Sequence, residues 1–553
     1  MEIYIKGSPK SAAFFGCDSR IGMKQNSFLK GAAVLGIIGL VCKVIGAVYR
    51  IPMTNLLGTS GMAYYSTPYP VYTWLLVISS AGLPVAISKM VSERVTFGDY
   101  KGAHQVFKTA LKALGVIGIV TTVAMMLSSG LLAGWAGRPE ADIGFLAIAP
   151  SLFFVSVLSA YRGYFQGLQM MSPTAFSQLI EQLGKLGLGL YFANLWKANG
   201  VAYGAAGAVL GVTLSELLAL IFIMIVYFRH KGQIRLQIMK SSQSKSLNGV
   251  GRQLFYLAFP IILGALAMPS VQTADLGIVT NSLLGMGYSA SEADALYGNI
   301  SNVVNPLVNM PAILSLALAM SLVPAISESK ARKDEAGAAK KADMGFKLAL
   351  LVGLPCAVGF YFLAQPIIGL LYSSVRGQEL QTAGNLLEIM AAGVLFLTIV
   401  QTTTGILQGL GKTYVPVINL FIGVAVKIAA SLILIRIPEL NIKGAAIGTA
   451  ACYFIAGVLD IVCVIKYARF RLKLLDHIIK PLFAAGVMGI FVYLTYPLLV
   501  NMMLDKLATV LEIALAGLLY LTLVFAFVLK KDDMVFLPGG GRITRVMEKL
   551  RIW

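Results

Sequence analysis

The chain has 553 residues, of which 57% are apolar and only 13% charged, and its mean hydropathy is +0.78. Soluble globular proteins carry about 25% charged residues, so the composition excludes an ordinary water-soluble enzyme and reads as an all-α polytopic membrane protein. Lys plus Arg number 45 against 25 Asp plus Glu, and the placement of that excess decides between nucleic-acid binding and membrane topology.

In chain order, residues 1–30 read as a cytoplasmic tail. No cleavable signal is evident, because residues 1–22 hold charges but no apolar core of sufficient length. Met23-Lys24-Gln25 looks like a more natural start, which would make 1–22 an extension. A membrane span needs about 20 apolar residues. Fourteen such spans, helices 1 to 14, are predicted over 31–51, 67–88, 113–134, 143–161, 174–195, 203–228, 254–281, 298–326, 348–371, 382–407, 413–435, 444–465, 481–502 and 507–529. Helices 4 and 5 are the least sharply divided, since only Arg162 and the polar run Gln169 to Pro173 interrupt them. Residues 229–253 form a cytoplasmic linker, 466–480 a cytoplasmic loop and 530–553 a basic cytoplasmic tail.

With the N-terminus inside, 35 of the basic residues fall in inner segments and six in outer loops: Arg138, Lys197, Arg376, Arg436, Lys443 and Lys506. That split satisfies the positive-inside rule with both termini cytoplasmic. The excess charge is then a topology signal and a contact for anionic membrane lipids, not a nucleic-acid footprint.

An internal repeat organises the spans. Phe165-Gln166-Gly167-Leu168 recurs as Leu407-Gln408-Gly409-Leu410, with Lys185 matching Lys427 and Asn199 matching Asn441 at the same offset of 242. Pro84-Val85-Ala86-Ile87-Ser88 matches Pro324-Ala325-Ile326-Ser327, and Gly204-Ala205-Ala206 matches Gly444-Ala445-Ala446. Residues 31–228 and 254–465 therefore read as two pseudo-symmetric six-helix bundles, with helices 13 and 14 (481–529) outside the repeat. Six is an even number, so both bundles enter the membrane in the same direction, and a site is expected between them.

Four cations remain inside apolar spans: Lys43, Arg50, Lys185 and Lys427. Intramembrane charges are costly and usually face a cavity or a partner. Lys43 and Arg50 are seven apart on helix 1 and share a face; snorkelling to the interface is the competing use. Gln178, Glu181, Gln182 and Lys185 form one stripe on helix 5, in which Glu181 is placed to pair with Lys185. Lys427 lacks that acid, because Gly423 stands where Glu181 does, so it is expected to face a cavity. On helix 8, Asn299, Asn302, Asn305 and Asn309 make an amide stripe able to bind sugar hydroxyls or to join helices. Asp275, Glu216 and Glu388 are candidate proton or sodium sites for ion coupling, or partners of the cations. Asp460, near the end of helix 12, reads as interfacial.

No catalytic or metal site is expected. The five cysteines are scattered among apolar segments, and the three histidines are not near a cysteine or in an HExxH pattern. There is no P-loop, and the outer loops are short, so neither an ATP-driven pump in a single chain nor an extracytoplasmic transferase domain is present.

The layout of six, six and two helices, Ser27-Phe28-Leu29-Lys30-Gly31 opening helix 1, Gly82-Leu83-Pro84-Val85-Ala86-Ile87-Ser88-Lys89 closing helix 2 and Gly163-Tyr164-Phe165-Gln166-Gly167 after helix 4 carry a resemblance. From Met23 onward the chain resembles the polysaccharide-exporter branch of the multidrug/oligosaccharidyl-lipid/polysaccharide superfamily, in particular proteins like stage V sporulation protein B and the lipid II flippases. The resemblance implies transfer of a polyprenyl-pyrophosphate glycan from inner to outer leaflet of a bacterial cell membrane. Cys42-Lys43-Val44-Ile45-Gly46 resembles the flippases' basic residue three positions before a glycine, and Arg50 their second cation. Helix 2 has no arginine, and helix 8 has asparagines where those flippases would place one.

The expectation is a flippase working by alternating access as a monomeric unit, without a bound cofactor, driven by membrane potential or by a proton or sodium gradient. Pyrophosphate and sugars would bind the cations, Glu181, Gln178 and the amides, with the lipid tail along helices 13 and 14. A drug or cation antiporter of the same fold is the alternative, then a membrane enzyme or scaffold of envelope glycan synthesis.

Overall fold

The computed structural model describes residues 38, 39, 41, 42, 44–46, 48–78, 82–239, 241, 249–470, 472–530 and 533. Lys43 and the expected start near Met23 lie outside them. Helices dominate the described residues, and no β-strand occurs among them. The reason is the solvent: a segment in hydrocarbon must satisfy its own backbone hydrogen bonds.

Ten helices among the described residues are long and apolar enough to cross a membrane, corresponding to helices 3, 4, 6 and 8 to 14. The other four expected spans are also helical. Helix 1 includes Arg50–Ser66, helix 2 runs as Pro68–Leu76 and Leu83–Thr96, helix 5 is Met171–Trp196 and helix 7 is Val250–Gly285. Helix 4 (Asp142–Gly167) is separated from helix 5 by a tight turn with Gln169 at φ 61°. Helix 1 runs past its expected end at 51 to a break at Gly58 (φ 71°), a backbone conformation that glycine adopts without a Cβ penalty. Lys197 Nζ, 2.5 Å from the Leu56 carbonyl oxygen, occupies a carbonyl next to that break.

The repeated motifs are repeated contacts. Helix 4 packs on helix 2 through Gly163 and Gly167: a Cβ on Gly163 would stand 2.9 Å from the Pro84 carbonyl oxygen, and one on Gly167 2.6 Å from Val91 Cβ. Helix 10 (Gly377–Gly409) packs on helix 8 in the same manner, where a Cβ on Gly409 would stand 2.9 Å from Ile326 Cβ. The two motifs in each half face one another, so small residues at one demand close backbones at the other. The following turns also match: Met170 N–H bonds Phe165 O and Lys412 N–H bonds Leu407 O, each at 2.8 Å, with Gln169 and Gly411 both at positive φ. Asp99 caps helix 3 (Tyr100–Leu127) by accepting from Gly102 N–H, as Asp334 caps helix 9 (Glu335–Phe362) from Gly337 N–H.

Helix 7 connects the two halves. Its Leu254 and Ala258 lie in an apolar cluster with helices 2, 3, 4 and 6, whereas its Leu276, Val279 and Leu283 lie in the cluster of helices 8 to 14. Helix 13 (Lys480–Met502) and helix 14 (Asp505–Leu523) pair with each other and lie on helix 9. Below them an ionic clasp gathers Lys347 with Asp533 at 2.6 Å, His477 with Asp343 at 2.8 Å, and Asp476 with both Lys480 and Lys530. The Asp476 hydrogen bond holds the Lys530 ammonium above its ordinary range.

Candidate functional site

Taking the end that carries the basic loops as inner, three polar clusters stand within the membrane-spanning helices. The first lies among helices 1, 2, 5 and 6. Helix 5 carries the expected stripe, but Glu181 does not pair with Lys185 on its own helix. Arg162 of helix 4 takes it instead, with Nη2 2.9 Å from Glu181 Oε2 and Nε 2.9 Å from Ser177 Oγ. The guanidinium fork reaches two acceptors at once, which a lysine one helical turn away cannot match.

Lys185 is thereby left without a carboxylate within ion-pair distance among the described residues. Its Nζ lies 5.2 Å from the Tyr69 ring centre and 5.9 Å from that of Tyr49, within range of attraction to the negative ring faces. The tyrosines continue as a group: Tyr65 and Tyr69 hydroxyls are 2.8 Å apart, and Tyr72 donates to Glu216 Oε1 at 2.9 Å. Glu216 is buried, and its Oε2 has no hydrogen-bond partner. Gln178 is half-buried on the same stripe of helix 5.

The second cluster replaces the cavity expected around Lys427 with the other use expected of Asp275, as partner of one of the cations. On helix 11 (Tyr414–Leu434) Lys427 is 3% exposed and ion-paired with Asp275 of helix 7. The missing acid of the repeat is supplied by a different helix, which the spacing along helix 11 could not reveal. Asp460, read from the sequence as interfacial, is packed inside the protein. It is fully buried on helix 12 (Ile442–Ala468), accepting from Asn419 Nδ2 at 2.8 Å and Thr403 Oγ1 at 3.2 Å. The side chains of helices 10 and 11 close over it, a packing that hydropathy near a helix end does not encode. Glu388 is half-buried on helix 10.

Helix 8 supplies the third cluster. It comprises Ala290–Gly298, a π-helical turn Asn299–Val304 and Asn305–Ala331. Its amides divide. Asn302 Nδ2 donates to the Met62 carbonyl at 2.9 Å and to Ser66 Oγ at 3.1 Å, joining helix 8 to the end of helix 1. Asn309 bonds the Asn305 carbonyl of its own helix, and Asn305 is half-buried. Arg50 reaches the same π-turn, with Nη1 3.0 Å from Ser301 O. Arg50 and Asn302 thus meet at the seam between the halves.

Several buried acids were not anticipated, among them Asp99, Asp294 and Glu512. Glu512 on helix 14 is fully buried and accepts from Thr495 of helix 13 at 2.7 Å. Its position as the sixth residue of the apolar span 507–529 was the available signal.

The chain matches the family profile described as polysaccharide biosynthesis protein over residues 28–330, more than half its length, and MatE over 300–433. It is 26% identical to stage V sporulation protein B of Bacillus subtilis, covering 94% of this chain and 99% of that one. It is also 26% identical to the lipid II flippase MurJ of the same organism, over 85% of this chain and 88% of that one. In fold it resembles a lipid II flippase MurJ in an inward closed conformation, with a TM-score of 0.68 and 15% identity over 90% of this chain and 98% of that one. An inward-facing multidrug resistance MATE family transporter of the MOP superfamily aligns with a TM-score of 0.65 and 15% identity over 77% of this chain and 94% of that one.

Proposed function

Because the chain belongs to the polysaccharide biosynthesis protein family, we propose that it is a flippase that moves a lipid-linked glycan, carried on a polyprenyl pyrophosphate, from the inner to the outer leaflet of a bacterial cell membrane by alternating access. The observation that carries this reading is Lys185: a half-buried cation in the first bundle that lies over tyrosine rings and has no carboxylate within ion-pair distance among the described residues. A pyrophosphate supplies the missing anion, and tyrosine faces suit sugar rings. Arg50 lies on helix 1, next to Tyr49 of this cluster, and Lys43 precedes it by seven positions in the sequence. Both termini are cytoplasmic in this reading, the transport unit is one chain, and the basic inner loops contact anionic lipids.

Energy comes from the membrane potential. Moving two negative charges outward across 100 mV releases about 4.6 kcal/mol. The positive, unloaded site is drawn back inward by the same field. Ion binding at Glu216, Asp275 or Glu388 is the competing source. Asp275 is already paired with Lys427, whereas buried Glu216 forms no ion pair among the described residues, so Glu216 is the stronger coupling candidate.

The test is transbilayer movement of a labelled polyprenyl-pyrophosphate sugar in proteoliposomes, with and without an imposed potential. Movement by the wild type that falls at least about tenfold in Lys185→Gln supports the proposal; no movement with several head groups and either gradient, by folded protein, overturns it. The MatE match over 300–433 favours a drug antiporter as the second reading. Resistance to cationic drugs on overexpression would support that reading, and a polymerised or cleaved lipid product would indicate an enzyme.

A further inference from the structure

We propose that Arg138 and Asp294 form the latch of an outer gate between the two halves of the molecule. Arg138 precedes helix 4 and Asp294 opens helix 8, and they form an ion pair. It is the one ion pair among the described residues that joins residues 48–239 to residues 249–530. The sequence places Arg138 in an outer loop, where a solvated cation would be ordinary. Its side chain is instead 0% exposed, and Asp294's is 6% exposed. The guanidinium carbon lies 4.7 Å from the centre of the Tyr297 ring, one turn further along helix 8.

The surroundings of the pair are closed in the same way. Asn281 of helix 7 donates to the Trp135 carbonyl at 3.0 Å, and a Cβ on Gly277 would stand 2.5 Å from the Trp135 ring. Gly298 sits against the Thr59 backbone. The inner end differs. There helices 2 and 7 meet through backbone at Gly82 and Ala258 and through apolar side chains such as Leu83 and Leu254. Among the described residues, the seam therefore carries an ion pair and polar contacts beside apolar packing at one end, and apolar and backbone contacts at the other.

A buried ion pair is weak support for stability but is costly to break when one partner stays buried. Opening at this end separates Arg138 from Asp294 and admits water to both, so the pair holds the gate shut until water can replace the lost partner. An apolar seam has no such all-or-none contact. The inference rests on the alternating-access reading, but its test needs no substrate.

In a background with the five native cysteines replaced by alanine, Ser66→Cys places a thiol in the buried seam beside Asn302. Its labelling by a membrane-impermeant maleimide, added to each side of sealed vesicles in turn, reports opening. The expected result is slow labelling with the pair intact and roughly tenfold faster labelling from the outer side in Arg138→Gln and Asp294→Asn, while Arg138→Lys stays close to the parent. Should the neutral variants fail to fold, Tyr297→Leu, which removes only the ring beside the guanidinium, is expected to speed labelling by a smaller factor. Unchanged labelling in whichever of these variants folds overturns the latch. A flippase reading that failed would leave this labelling pattern intact, so the two outcomes are separable.

Discussion

Lys427 of helix 11 is ion-paired with Asp275 of helix 7, whereas Lys185, its counterpart in the repeat, faces the rings of Tyr69 and Tyr49. Two lysines at one position of a duplicated bundle have thus diverged. One is neutralised by a carboxylate of another helix, and the other lies over tyrosine rings with no carboxylate within ion-pair distance among the described residues.

The paired lysine should behave as a structural element. Removing one partner of a buried pair strands the other charge, at a cost of about 3–5 kcal/mol. Lys427→Met is therefore expected to lower the thermal unfolding midpoint in detergent strongly, and the double variant Asp275→Asn with Lys427→Met less than the single. A double variant as unstable as the sum of both singles would contradict the pairing.

The unpaired lysine should behave oppositely. Lys185→Gln is expected to change the unfolding midpoint little, because a cation over an aromatic face contributes about 0.5–2 kcal/mol, and to cut transport of the lipid-linked sugar by about tenfold or more. Lys185→Arg, which keeps the charge, should retain a substantial part. Measured together, the midpoint and the transport rate separate a binding role from a folding role.

Glu216 carries the coupling question. Glu216→Gln retains an acceptor for Tyr72 but cannot ionise, so the fold is expected to persist. If Glu216 binds the coupling proton, transport in the variant keeps its response to membrane potential and loses its response to a pH gradient imposed across the vesicle. Equal pH-gradient responses in variant and wild type would remove Glu216 from the coupling role.

The helix contacts of the repeat can be tested without any substrate. Gly167→Ala and Gly409→Ala each force a Cβ into a neighbouring helix, and overpacking of this kind costs about 1–3 kcal/mol. Gly486→Ala on helix 13 has no atom within 4 Å of the new Cβ and should be neutral or slightly stabilising in the same thermal assay.

The sequence alone was sufficient for properties set by the solvent and by local chain chemistry. Apolar length determined where the spans lie, because hydrocarbon penalises each exposed peptide group. The glycine motifs were legible as recurring positions, and the structure shows their use, helix 4 meeting helix 2 as helix 10 meets helix 8, because a missing Cβ admits a close neighbour. The intramembrane lysines were visible as anomalies for the same reason.

Partner choice was a tertiary decision. Arg162 displaced Lys185 from Glu181, and Asp275 reached Lys427 from another helix. Asp460 vanished beneath helices 10 and 11, and Arg138 left its loop for Asp294. In each case a charge in low dielectric selects the neighbour whose geometry best compensates its lost hydration. That neighbour lies across a helix interface, at a distance in sequence that no periodicity records.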